Sequence, residues 1–177
     1  MTTRFSLRLP RHQARLVALA VAYHLARPGS EIDPDTMDVY EHGLAELPAL
    51  LDSQVSNEVA SVDLNPLQVT LLSTAVSSVI NELKVYPMLD TMAGASSRPR
   101  STAPGLDDRL RSLFPQVISD PSYASQLAED MTMLRRQLPV ARARQLLEEE
   151  REASQEATRS KKSWQFWKRR SSHGRTS

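Results

Sequence analysis

The sequence predicts a mainly α protein: a small helical bundle with two short β-strands, paired as a two-stranded ribbon, and a disordered basic C-terminal tail. Three observations lead there. Only five glycines stand in 177 residues rich in Leu, Ala, Arg, Glu and Gln, which favours helices over a turn-rich sandwich or barrel. Apolar residues recur at spacings of three and four along most of the chain. One strand-to-helix pattern occurs twice, 55 residues apart.

The repeat sets LRLPRHQARLVALAV, Leu7 to Val21, against VDLNPLQVTLLSTAV, Val62 to Val76. Leu9 matches Leu64, Gln13 matches Gln68, Leu16 matches Leu71, Ala20 matches Ala75 and Val21 matches Val76. In each copy apolar and polar residues first alternate (Phe5, Leu7, Leu9; Val62, Leu64), and helical spacing takes over after a proline, Pro10 or Pro66. Two short strands cannot stand alone. Pairing them, with both helices packed on the ribbon, is the economical arrangement. Leu-, Ala- and Val-rich amphipathic helices also resemble one another by chance, and Gln13 and Gln68 are the distinctive part of the match.

Between the copies, Asp33 and Pro34 form a helix start, and Met37, Tyr40, Leu44, Leu47 and Leu51 mark one apolar stripe that bends near Pro48. The second repeat helix continues through Val79, Ile80 and Leu83 and is expected to end before Pro87. Residues 91–105 lack apolar periodicity and read as a flexible linker. Leu106, Leu110, Leu113 and Phe114 then form a short helix stopped by Pro115. Asp120 and Pro121 start another, with Tyr123, Leu127, Met131, Leu134 and Leu138 on one face, before Pro139 forces a break. Beyond Leu147 no large apolar residue occurs until Trp164, so Glu148 to Ser163 is a solvated helix extension or unstructured. The organisation is thus a helical core over 1–90 holding the repeat (7–21 and 62–76), a linker over 91–105, a helical segment over 106–158 and a tail over 159–177.

Several classes of function find no support. The absence of cysteine removes disulfides, thiolate nucleophiles and cysteine metal sites together. The four histidines, His12, His24, His42 and His173, show no metal-ligand spacing, and no metal or cofactor is expected. His24 with Glu41, His42 and Glu46 is the nearest thing to an acid–base cluster, and only a fold could bring it together. No glycine-rich phosphate loop and no Gly-x-Ser-x-Gly turn is present. The expectation is therefore a non-enzymatic interaction or adaptor protein, with a small enzyme as a remaining alternative.

Arg4, Arg8, Arg11 and Arg15 precede LVALAVA in the manner of a signal or transit sequence, yet Pro10, Tyr23, His24 and the repeat assign this segment to the fold. The longest uncharged stretch, Leu64 to Asn81, has eight Asn, Gln, Ser or Thr among eighteen residues and is too polar for a lipid-exposed span. A cytoplasmic protein is expected, with membrane association left to the tail.

Charge is divided unevenly. From Arg159 onward there are seven Lys or Arg and no acid, so the tail carries +7 and residues 1–158 carry −6. The stretch SKKSWQFWKRRSS holds both tryptophans of the chain, with Trp164, Phe166 and Trp167 flanked by Lys161, Lys162, Lys168, Arg169 and Arg170. Lying beyond the last core-forming helix, these eight residues are the candidate site for an anionic surface. A membrane interface suits amphipathic tryptophan rings beside bases. Nucleic acid is the competing partner, through base stacking and phosphate neutralisation, and would make the chain a nucleic-acid-associated regulatory protein. The acidic body itself or an unidentified protein partner are further candidates, and the spare apolar surface of four or five helices admits a homodimer.

Overall fold

The computed structural model describes residues 3–27, 30, 43–54, 58–93 and 106–171, with side chains described through Pro87 in the first half and over 108–156 in the second. Along the chain come β1 (Phe5–Pro10), α1 (Arg11–Leu25), a 3-10 turn (Leu44–Glu46), α2 (Leu47–Gln54), β2 (Val59–Leu64), α3 (Pro66–Ala93), α4 (Leu106–Leu113), α5 (Gln116–Ser119), α6 (Tyr123–Gln137) and α7 (Val140–Ser171). The fold is mainly helical, with one two-stranded antiparallel sheet among the described residues.

The ribbon obeys the alternation in its sequence. Phe5 lies opposite Leu64, Leu7 opposite Val62 and Leu9 opposite Ala60. Leu9, Ala60, Val62 and Leu64 are buried on the inner face, while Ser6, Arg8, Ser61 and Asp63 are exposed on the outer one. A slip of one residue would exchange the two sets, so the core itself holds the register. On the outer face the Ser6 hydroxyl donates to Asp63 across the strands.

Both repeat helices start at matching places, Arg11 and Pro66, and both pack on the ribbon. Their first turns are built differently. In α3, Asn65 Oδ1 accepts from the Gln68 backbone N–H at 2.8 Å, and Gln68 Oε1 accepts from the Asn65 N–H at 3.0 Å, a reciprocal cap that satisfies two otherwise unpaired donors. In α1 the equivalent of Asn65 is Pro10, which makes no side-chain cap; the Arg11 N–H instead donates to the Glu58 carbonyl at 2.9 Å. The LVALAVA run belongs to the core: Leu16 to Val21 are each at most 4% exposed.

α3 is the central element, packed against α1, α6 and α7. Residues of both halves, among them Leu16, Leu72, Leu110, Leu127, Met131 and Ala143, form one continuous hydrophobic cluster. The expected end of α3 before Pro87 is not observed, because the helix runs on to Ala93 with Pro87 inside it. A proline here removes one backbone hydrogen bond, to the Leu83 carbonyl. The packing of α3 against α6 and α7 opposes the break. The first three residues of the expected linker, 91–93, thus belong to α3, and 94–105 lie outside the described residues.

Other breaks fall where the prolines place them. Pro48 sits in the first turn of α2, following the 3-10 turn, and the helix start at Asp33 and Pro34 with Met37 and Tyr40 lies outside the described residues. Pro115 separates α4 from α5, and Pro139 separates α6 from α7. Asp120 Oδ1 accepts the Ser122 N–H at 3.0 Å and shapes the turn into α6, whose Leu127, Met131 and Leu134 are buried, as is Leu138 just beyond it.

Candidate functional site

The eight candidate residues Lys161, Lys162, Trp164, Phe166, Trp167, Lys168, Arg169 and Arg170 lie near the end of α7. This helix begins as part of the body. Ala143 is fully buried, and Val140, Leu146 and Leu147 are half-buried where α7 meets α3. From Glu148 to Glu156 every residue is exposed, on all sides of the helix. Two side-chain bonds in this region lie within α7: Gln145 Nε2 donates to Glu149 Oε1 at 2.8 Å, and Ser154 Oγ donates to the Glu150 carbonyl at 2.8 Å. No proline or glycine interrupts residues 140–171, and the backbone remains helical to Ser171. The stretch read as a tail from 159 is thus carried on the same helix as far as Ser171, and 172–177 lie outside the described residues. At a rise of 1.5 Å per residue, Trp164 stands about 25 Å along the axis from Leu147.

The acid–base cluster considered from the sequence divides between two places. His24 is in the last turn of α1 and Glu46 in the 3-10 turn, while Glu41 and His42 lie outside the described residues. Among the described residues no group of three His, Asp or Glu side chains is placed to hold a metal ion.

Three arrangements emerge that sequence spacing could not reveal, because each joins residues far apart in the chain. First, His12 Nε2 lies 2.8 Å from Asp130 Oδ2, and the imidazole meets the Phe114 ring edge-on with centroids 5.7 Å apart. This pair ties the start of α1 to α6, beside a bond from Gln13 to Gln137 at 3.3 Å. Second, the Tyr23 hydroxyl donates to Glu82 Oε1 at 3.0 Å, linking α1 to α3. Burial, then the hydrogen bond to Glu82 and its negative charge, push the Tyr23 phenol above its ordinary range, while nearby Arg27 opposes the shift. Third, an open cavity of about 410 Å³ is lined by Arg4, Glu46, Leu47, Leu50, Asp63, Asn65 and Gln68. Its polar groups are partly engaged already: Asp63 with Ser6, and Gln68 with Asn65 and, through Nε2, with the Gly43 carbonyl at 3.0 Å.

The His12–Asp130 pair has an aromatic ring on the imidazole, and the cavity holds one arginine facing two carboxylates without a histidine. Among the described residues, no helix is long and apolar enough to cross a membrane. What distinguishes α7 is the joining of one core-anchored end to one strongly basic and aromatic end through an acidic, fully exposed middle. Compared with known proteins, the chain matches no family model, no curated protein and no solved structure, so its own geometry carries the functional reading.

Proposed function

We propose that the chain is a non-enzymatic interaction protein held reversibly at an anionic surface, a membrane above all, by the basic and aromatic end of α7. The observation that carries this reading is the exposure of the helix on every side from Glu148 to Glu156, ahead of the only two tryptophans in the chain. A helix that left the body only for solvent would have no need of Trp164, Phe166 and Trp167. Five bases beside them, Lys161, Lys162, Lys168, Arg169 and Arg170, each add about 1 kcal/mol of attraction at an anionic leaflet. Such attachment is reversible and weakens with salt.

The test is co-flotation of the full chain, and of a chain ending at Arg159, with anionic and neutral liposomes at low and high salt. Flotation of the full chain alone, with anionic lipid and at low salt, is the expected result. If neither chain floats while the full chain binds single- or double-stranded nucleic acid and the shortened one does not, the surface is nucleic acid and the membrane reading is wrong.

A further inference from the structure

We infer that residues 160–171 of α7 act as an in-plane membrane-interface helix, sorted by its helical register into an aromatic arc and a basic arc; this rests on the surface-attachment reading above. In a linear sequence the aromatic and basic residues are interleaved. The helical backbone separates them. At about 100° per residue, positions 164, 166 and 167 fall within an arc of about 160°. Lys161, Lys162, Lys168 and Arg169 fall within an arc of about 120°, centred opposite the first. Gln165 sits at the centre of the basic arc, and the small Ser163 falls within the aromatic arc. Arg170 is the exception, and it stands one residue before the helix ends.

The sorting discriminates between partners. Stacking on nucleic acid needs rings and bases on the same side, so that one strand meets both. A bilayer interface needs them apart, with the aromatic arc toward the acyl boundary and the basic arc at the phosphate level. The observed register suits the second. The acidic block before it, Glu148, Glu149, Glu150, Glu152 and Glu156 against the single Arg151, is repelled by the same anionic headgroups. That repulsion confines the inserted stretch to the turns after Glu156 and leaves the body outside the lipid. The ligand is therefore a lipid surface carrying anionic headgroups, recognised by charge and by an apolar boundary together.

The test exchanges two residues without changing composition or charge: the full chain carrying Lys161→Trp together with Trp164→Lys. Position 161 lies inside the basic arc, between Lys168 and Arg169, so the exchange spreads the three rings over about 220° and mixes the arcs. Both proteins are titrated with phosphatidylcholine vesicles that contain or lack phosphatidylglycerol. Tryptophan emission reads this stretch alone, since no tryptophan lies elsewhere. Expected for the unaltered chain are a blue shift and partitioning on anionic vesicles; expected for the exchanged chain is about tenfold weaker partitioning. Equal partitioning of both on anionic vesicles overturns the in-plane helix while leaving attachment by charge alone. Failure of both to bind overturns the attachment reading and this inference with it. Equal far-UV circular dichroism of the two proteins shows that the exchange has spared the helix, and a loss of helicity is met by the exchange Gln165→Trp with Trp164→Gln, which moves one ring into the basic arc and must weaken binding in the same way.

Discussion

Leu7 lies directly opposite Val62 in the ribbon, and Val62 is the residue that follows it by the repeat offset of 55. In an antiparallel pair a residue can face its own counterpart only where a local two-fold axis crosses the two strands. The flanking pairs agree: Leu9 faces Ala60, the counterpart of Phe5, and Phe5 faces Leu64, the counterpart of Leu9. Equivalent positions should then be energetically equivalent where burial is equal. Leu9 and Leu64 are 3% and 1% exposed, so Leu9→Ala and Leu64→Ala are each expected to cost about 2–5 kcal/mol in urea unfolding. Ser61→Ala on the outer face should cost under about 0.5 kcal/mol. A cheap Leu9→Ala beside a costly Leu64→Ala would mean that β2 alone carries the core.

The two glutamines of the repeat predict the opposite, an inequality. Gln68 is 5% exposed and joins the α3 cap to the Gly43 carbonyl, so Gln68→Ala strands a buried acceptor and opens the first turn, at about 1–3 kcal/mol. Gln13 reaches Gln137 at 3.3 Å on the exposed side, and Gln13→Ala should stay within about 0.5 kcal/mol. Chemical denaturation of the two variants in parallel decides this.

These contrasts show what the sequence makes legible. Strand alternation and proline positions sufficed for the ribbon, α4, α6 and the break at Pro139, because those features depend on near neighbours in the chain. Pro87 does not end α3 for the complementary reason: its local cost is outweighed by the packing of the helix against α6 and α7, which come later in the chain. The His12–Asp130 pair, 118 residues apart, leaves no trace in any spacing. The basic and aromatic residues of α7 were conspicuous by composition, yet their sorting into arcs depends on helical continuity to Ser171, which runs of Glu and Lys alone do not guarantee.

Two tyrosines of the core separate a useful hydroxyl from an idle one. Tyr23→Phe removes the bond to Glu82 and should cost about 1–2 kcal/mol at neutral pH. The Tyr86 hydroxyl is buried without a hydrogen-bond partner among the described residues, so Tyr86→Phe should be neutral or stabilising by up to about 1 kcal/mol. The pH dependence has a definite sign. Because the folded Tyr23 phenol sits above its unfolded value of about 10, its contribution is complete below that pH and is lost as pH rises through the folded value. Stability of the unaltered chain should fall above pH 10 more steeply than that of Tyr23→Phe, measured by circular dichroism in urea.

Removing the end of α7 should separate stability from attachment. The last buried residue described in this helix is Ala143, Leu146 and Leu147 are half-buried, and every residue of 148–156 is exposed. A chain ending at Glu156 keeps every described contact between α7 and α3, so its unfolding free energy should lie within about 0.5 kcal/mol of the full chain. Its binding to anionic vesicles should vanish. A chain ending at Leu138 instead loses Ala143 from the core and should unfold at distinctly lower urea concentration. Were the shorter cut at Glu156 also to destabilise the protein by several kcal/mol, the +7 segment would be folded back on the −6 body, and its positive charge would serve the fold rather than a surface.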